Sequence, residues 1–135
     1  MDHARTRLLI VYNADSGVMN ALLHALHKQF APATYPCSLC ALTYGSVSMR
    51  REWRAFLNEL PLEVVFHHRD DFAAAYPGHG YDLPAILLAD KDSAPRILVP
   101  AAELNPMAEL SDLIVRVESQ LEIERTLKPR VRARA

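Results

Sequence analysis

The sequence predicts an α/β fold: a mixed four-stranded sheet with flanking helices and an insert after the first helix. Three observations carry this. Short apolar runs rich in Ile, Val and Leu alternate with longer segments whose apolar residues recur at helical spacing. The first strand is followed by helix before the next strand, which calls for a parallel pair and a right-handed crossover. The last two strands are joined by a tight turn, which calls for an antiparallel hairpin. With 135 residues the chain fits one domain, expected over 1–125, with the insert at about 31–60 and a basic, disordered tail at 126–135.

Leu8 to Asn13 form a buried strand, a short apolar run ended by Asn-Ala-Asp-Ser-Gly. Asp15 or Ser16 then caps a helix over about 16–30, because either side chain can accept from the free N–H groups of a first turn. Pro32 and Pro36 close it. Residues 31–47 are the least regular stretch. Met49, Trp53, Phe56, Leu57 and Leu60 predict a second helix with Ser48 as its cap, stopped by Pro61. Leu62 to His67 are a second strand, and Asp70 to Tyr76 a short helix before the turn Pro77–Gly80. Leu83 to Leu88 are a third strand opened by Pro84, and Arg96 to Val99 a fourth. Asn105 caps a last helix with Pro106 at its first position, where a missing N–H costs nothing. Its buried stripe is Leu110, Leu113, Ile114, Val117 and Leu121.

Net charge is −1, which removes any global argument for nucleic acid or an anionic membrane as partner. The apolar run Leu8–Tyr12 is too short for a signal-peptide core or a membrane span, so a cytoplasmic location is the expectation. In a reducing compartment, cysteines spaced as Cys37-Ser-Leu-Cys40 point to redox or metal chemistry rather than a structural staple.

Leu83-Pro84, the hairpin strand after it and the closing amphipathic helix resemble the C-terminal half of the thioredoxin fold. The resemblance covers about 8–30 and 62–124 and implies a cis bond at Leu83-Pro84. It does not carry thioredoxin activity with it. The family's C-x-x-C lies between the first strand and its helix, where this chain has Asn13-Ala-Asp-Ser16. A second set of motifs, Tyr12 to Gly17, His27-Lys28 and Thr34 to Thr43, is similar to a small family of uncharacterised bacterial proteins. Some of these carry a GTPase label, but no G-x-x-x-x-G-K-[ST] phosphate loop exists in this chain.

Two constellations carry chemistry. The first is His24-x-x-His27 followed by Cys37-x-x-Cys40, four ligands in number and kind suited to tetrahedral zinc. His27 borders the apolar stripe of its helix, whereas His24 points away from it, so His27 is the favoured histidine. The same cysteines serve equally as a dithiol/disulfide couple, with Cys37 nucleophilic if a helix starts there. The plain alternative is two inert thiols. The second constellation is the cleft beyond the carboxyl ends of the parallel strands, formed by Asp15, Ser16, Gly17, His67, His68 and Pro84. N–H groups at Ser16 and Gly17 suit an anion, and a histidine suits proton transfer. The plain reading is helix caps and surface histidines. Trp53 is expected in the core, Arg69-Asp70-Asp71 in a solvated turn.

The favoured expectation is a small thioredoxin-like domain that binds a metal, with zinc the expected ion, through Cys37, Cys40 and His27, with His24 as a further ligand. The alternatives are a thiol–disulfide redox protein using Cys37 and Cys40, and a ligand-binding domain using the Asp15–His68 cleft. Whether the chain is an enzyme stays open at this level, and no membrane or nucleic-acid partner is expected.

Overall fold

The computed structural model describes residues 6–17, 38–44, 49–90 and 94–134, with side chains as far as Arg125. Four strands form one mixed sheet in the order β2-β1-β3-β4, where β1 is Arg7–Val11, β2 Glu63–His67, β3 Ala85–Ala89 and β4 Arg96–Val99. β1 runs parallel to β2, with Leu9 opposite Val65, and antiparallel to β3, with Leu9 opposite Leu87. β3 and β4 are antiparallel, with a register shift between Ile86 and Leu87. Five helices accompany the sheet among the described residues: α1 Ser38–Thr43, α2 Arg51–Asn58, α3 Arg69–Ala75, α4 Ala101–Leu104 and α5 Leu110–Arg134.

β1 and β3 are the inner strands, and their continuous apolar sequences follow from that. Every residue of β3, and Leu8 to Val11 of β1, is buried, so neither strand can alternate polar with apolar. One sheet face carries Leu8, Ile10, Tyr12, Ile86 and Leu88 and is covered by residues of α1, α2 and α5. The other carries Leu9, Val11, Ala85, Leu87 and Ala89 and packs on Phe72 of α3. Tyr76, Tyr81 and Leu83 complete that second core. Gly78 and Gly80, at φ 71° and 72°, let the chain turn back between α3 and β3 in a conformation that other residues avoid.

Trp53 and Leu57 are the buried residues of α2, with Phe56 and Leu60 half-buried beside them. In α5 the buried residues are Leu110, Leu113 and Val117, with Ile114 and Leu121 partly covered. Each fully buried side chain of this size contributes about 1.5–3 kcal/mol relative to exposure. Leu83–Pro84 is cis, as expected from the sequence. Among the described residues no helix is long and apolar enough to cross a membrane.

Three expectations change. The last helix begins at Leu110, not at Pro106, because the chain first makes α4 directly after Pro100. Asn105 therefore ends a helix instead of starting one, its N–H bonding Ala101 O at 2.9 Å. Within the stretch read as irregular, Ser38–Thr43 is helical and has Leu39, Cys40, Leu42 and Thr43 buried. Arg69-Asp70-Asp71 is not a turn but the first turn of α3. Of the helix expected over 16–30 only Ser16 and Gly17 are described, and both are helical. The rest of it, with His24 and His27, lies outside the described residues, as do Cys37 and the cap Ser48.

Candidate functional site

The carboxyl ends of β1 and β2 are bound together by the chain that leaves them. Tyr12 N–H donates to His67 O at 2.9 Å, and Arg69 N–H to Ala14 O at 2.8 Å. Asp70 at the start of α3 accepts from both the N–H and the hydroxyl of Ser16, at 3.1 and 2.8 Å. Those two bonds favour the carboxylate, the hydroxyl bond most, and hold the Asp70 pKa below its ordinary value. Arg69 Nε donates to Asp15 Oδ1 at 3.0 Å. The N–H of Ser16, expected to serve an outside anion, is thus taken by an anion of the chain itself.

Asp71 gathers the two histidines. Its Oδ1 accepts from His67 Nδ1 at 2.7 Å and from the His68 N–H at 3.0 Å, while Oδ2 accepts from His68 Nδ1 at 3.3 Å. A carboxylate only accepts, so the His67 ring carries its proton on Nδ1 and, when neutral, keeps a lone pair on Nε2. Spacings of three and four residues at the entry to α3 place both rings over one carboxylate. His67 also lies against Phe72 and Tyr76 of the second core, ring centroids 5.5 and 6.3 Å apart.

Tyr12, the residue after β1, joins this cluster to the cysteine. Its ring stands 5.9 Å from His68, 5.8 Å from Tyr44 and 6.3 Å from Phe66, stacked on the last. Thr43 donates to Leu39 O at 2.9 Å, so the Tyr12 hydroxyl, 3.4 Å from Thr43 Oγ1, is the donor to it. Cys40 is fully buried one turn earlier in α1, in the same core cluster as Tyr12 and close enough to act on both phenols. Burial, and then the neighbouring Tyr44, push the Tyr12 pKa well above that of a free phenol. Burial raises that of Tyr44 too, so both phenols are neutral at physiological pH.

Ala85 pairs with Val11, which brings buried Pro84 to this same end of the sheet. Asp15, Ser16, His67, His68 and Pro84 are thus gathered at one sheet end, and Cys40 joins them through Tyr12. Gly17 is exposed, with open space around it. Cys37, His24 and His27 lie outside the described residues, so of the expected zinc ligands only Cys40 is placed. Among the described residues no three His, Cys, Asp or Glu side chains form a group able to hold a metal ion. Sequence reasoning missed Tyr12, Thr43, Tyr44, Asp70 and Asp71. The signals existed: a tyrosine closing an apolar strand, and acids in a first helical turn.

No protein-family model matches the chain, and neither the curated proteins nor the solved structures compared with it contain a match.

Proposed function

We propose that the chain is a thioredoxin-like domain whose Cys37 and Cys40 act as a dithiol/disulfide couple. The layout is supported by the strand order β2-β1-β3-β4 with Pro84 opening β3 beside the end of β1. Membership of the bacterial family with the Tyr12–Gly17 and Thr34–Thr43 motifs is supported by their meeting in one cluster, Tyr12 from one and Cys40 with Thr43 from the other.

The observation that carries the redox reading is the placement of Cys40. It is fully buried within α1, three positions after Cys37 in the chain. Cys37 is then the attacking thiolate and Cys40 the resolving thiol, shielded from outside reagents by Leu39, Leu42 and the two phenols. The Cys37 thiolate attacks one sulfur of an incoming disulfide and expels the first thiolate, which takes up a proton. Cys40 gives up its proton and attacks the Cys37 sulfur, closing the internal disulfide and releasing the second thiol. Two cysteine thiols lose two electrons and two protons, and the incoming disulfide gains them.

Protein purified without an affinity tag, titrated with glutathione disulfide, tests this. Free thiols should fall from two to none and return with a dithiol reductant, and Cys40→Ser should trap a mixed disulfide on Cys37. Thiols that never respond would end the redox reading. Metal analysis of the same sample addresses the zinc reading through Cys37, Cys40, His27 and His24. Bound zinc that protects both thiols, and is lost in His27→Ala, would replace the couple with a metal site. A ligand cleft from Asp15 to His68 has less support, because Asp70 already holds Ser16 and Asp71 both histidines.

A further inference from the structure

At the other end of the sheet a groove of about 780 Å³ runs between the end of α2 and the middle of α5. Phe56, Leu60, Leu62 and Leu121 make its apolar lining, each only partly covered by the core. Its rim is acidic. Arg96 is committed twice, to Asp90 at 2.7 Å and Glu124 at 3.0 Å, and Arg125 leans on Glu122 at 3.6 Å. Glu59 and Glu118, both exposed on the rim, make no ion pair among the described residues. An apolar floor under two uncompensated carboxylates fits an amphipathic basic segment.

The chain supplies such a segment. From Arg125 onward the sequence adds Lys128, Arg130, Arg132 and Arg134 and no acid. The backbone of α5 stays helical to Arg134, although no residue between Glu118 and Arg125 is fully buried. Helical backbone that continues for more than two turns beyond Leu121 gains little from its own propensity and is stabilised by packing. The groove of its own molecule is not available to it. Residues 118–125 of the same helix form one wall of the groove, and residues joined to that wall by unbroken helical backbone do not fold back onto it.

We propose that the groove between α2 and α5 receives the basic end of α5 from a second copy of the chain. The exchange is reciprocal: each copy places its basic segment over the Glu59 and Glu118 of the other, a two-fold arrangement in which the same two patches meet twice. This pairing is independent of the chemistry proposed for Cys37 and Cys40.

Sedimentation of the full chain at micromolar concentration tests it, at low and at high salt. The wild type should be dimeric at low salt and dissociate as salt rises. Glu59→Lys with Glu118→Lys should weaken the dimer by about tenfold or more, because like charges then face each other. Lys128→Glu with Arg130→Glu should do the same. Mixing these two variants restores opposite charge at both contacts and should restore a dimer that neither forms alone. Circular dichroism of each variant confirms that it is folded. A monomeric wild type overturns the proposal, and so do a dimer indifferent to both charge changes and a mixture that stays monomeric. A monomer that instead takes up an unrelated basic amphipathic peptide assigns the groove to another protein and also overturns self-pairing.

Discussion

Asp70 fills the place beside Ser16 that an outside anion would otherwise take: one carboxylate oxygen accepts the Ser16 N–H, the other its hydroxyl. The bond joins the start of α3 to the helix that begins after β1, across the mouth between the two parallel strands.

Its pH dependence follows from the lowered Asp70 pKa. The unfolded carboxyl titrates near 3.9, so the contribution is complete above that value and is lost as pH falls through the lower folded one. Urea midpoints for wild type and Asp70→Asn should differ at pH 6 and converge as the solution is acidified below about pH 4. A difference that stays constant down the acid range would show that the carboxylate is not the group responsible.

Tyr12 and Tyr44 set the opposite limit. Unfolded phenols ionise near pH 10, whereas burial raises both of these in the folded protein. Their stabilising effect is therefore full below pH 10 and lost as pH climbs from there toward the folded values. Phenolate absorbance of the native protein should show a late-titrating fraction among the five tyrosines, one ring smaller in Tyr12→Phe. Tyr12→Phe should also lose less stability between pH 9 and pH 11 than wild type. Simultaneous ionisation of all five in native protein would exclude this burial.

Trp53 is the largest fully buried side chain, and its indole N–H has no hydrogen-bond partner among the described residues. Trp53→Ala should cost about 3–5 kcal/mol through lost contacts and an unfilled cavity. Trp53→Phe keeps most of the apolar volume and removes the unpaired donor, so about 1–2 kcal/mol is expected. Chemical denaturation resolves the two. Equal losses would mean that the indole N–H does find an acceptor.

Full burial of Cys40 makes its own prediction. In Cys37→Ser, where Cys40 is the sole thiol, a thiol reagent should react about a hundredfold or more slowly with native than with urea-unfolded protein, since reaction waits on local opening. Rapid labelling of the native variant would place the sulfur at the surface and remove its resolving role.

The strands were legible in the sequence because β1 and β3 are buried on both faces, so Leu8–Val11 and Ala85–Ala89 stand out as unbroken apolar runs. α2 and α5 were legible from Trp53, Phe56 and Leu57, and from Leu110, Leu113 and Val117. The start of α5 was not. Asn105-Pro106 has the chemistry of a helix start, but Pro100 begins a shorter helix sooner, and Asn105 is needed at its end. Of the candidate site, the histidines were found from topology and Pro84 from the resemblance to the thioredoxin fold. Asp71 escaped because Arg69-Asp70-Asp71 reads as a solvated turn, and the pairs Ser16 with Asp70 and Tyr12 with Thr43 because they are far apart in the chain. Cys37, His24 and His27 lie outside the described residues, so the zinc expectation keeps its sequence basis alone.

The central position of β1 bears on how the chain is made. It leaves the ribosome before the other three strands, and both of its neighbours come much later: Leu8 pairs with Val64 on one side and with Leu88 on the other. The hairpin of β3 and β4 is local and can close as soon as it emerges, whereas β1 must wait for partners across a long loop. Until β3 exists, Leu8 to Val11 are an apolar segment with no sheet to enter, the kind of surface on which nascent chains aggregate or recruit chaperones. Of these four strands, the one made before the others is thus the one whose shelter is finished late, and crowding during translation bears hardest on it.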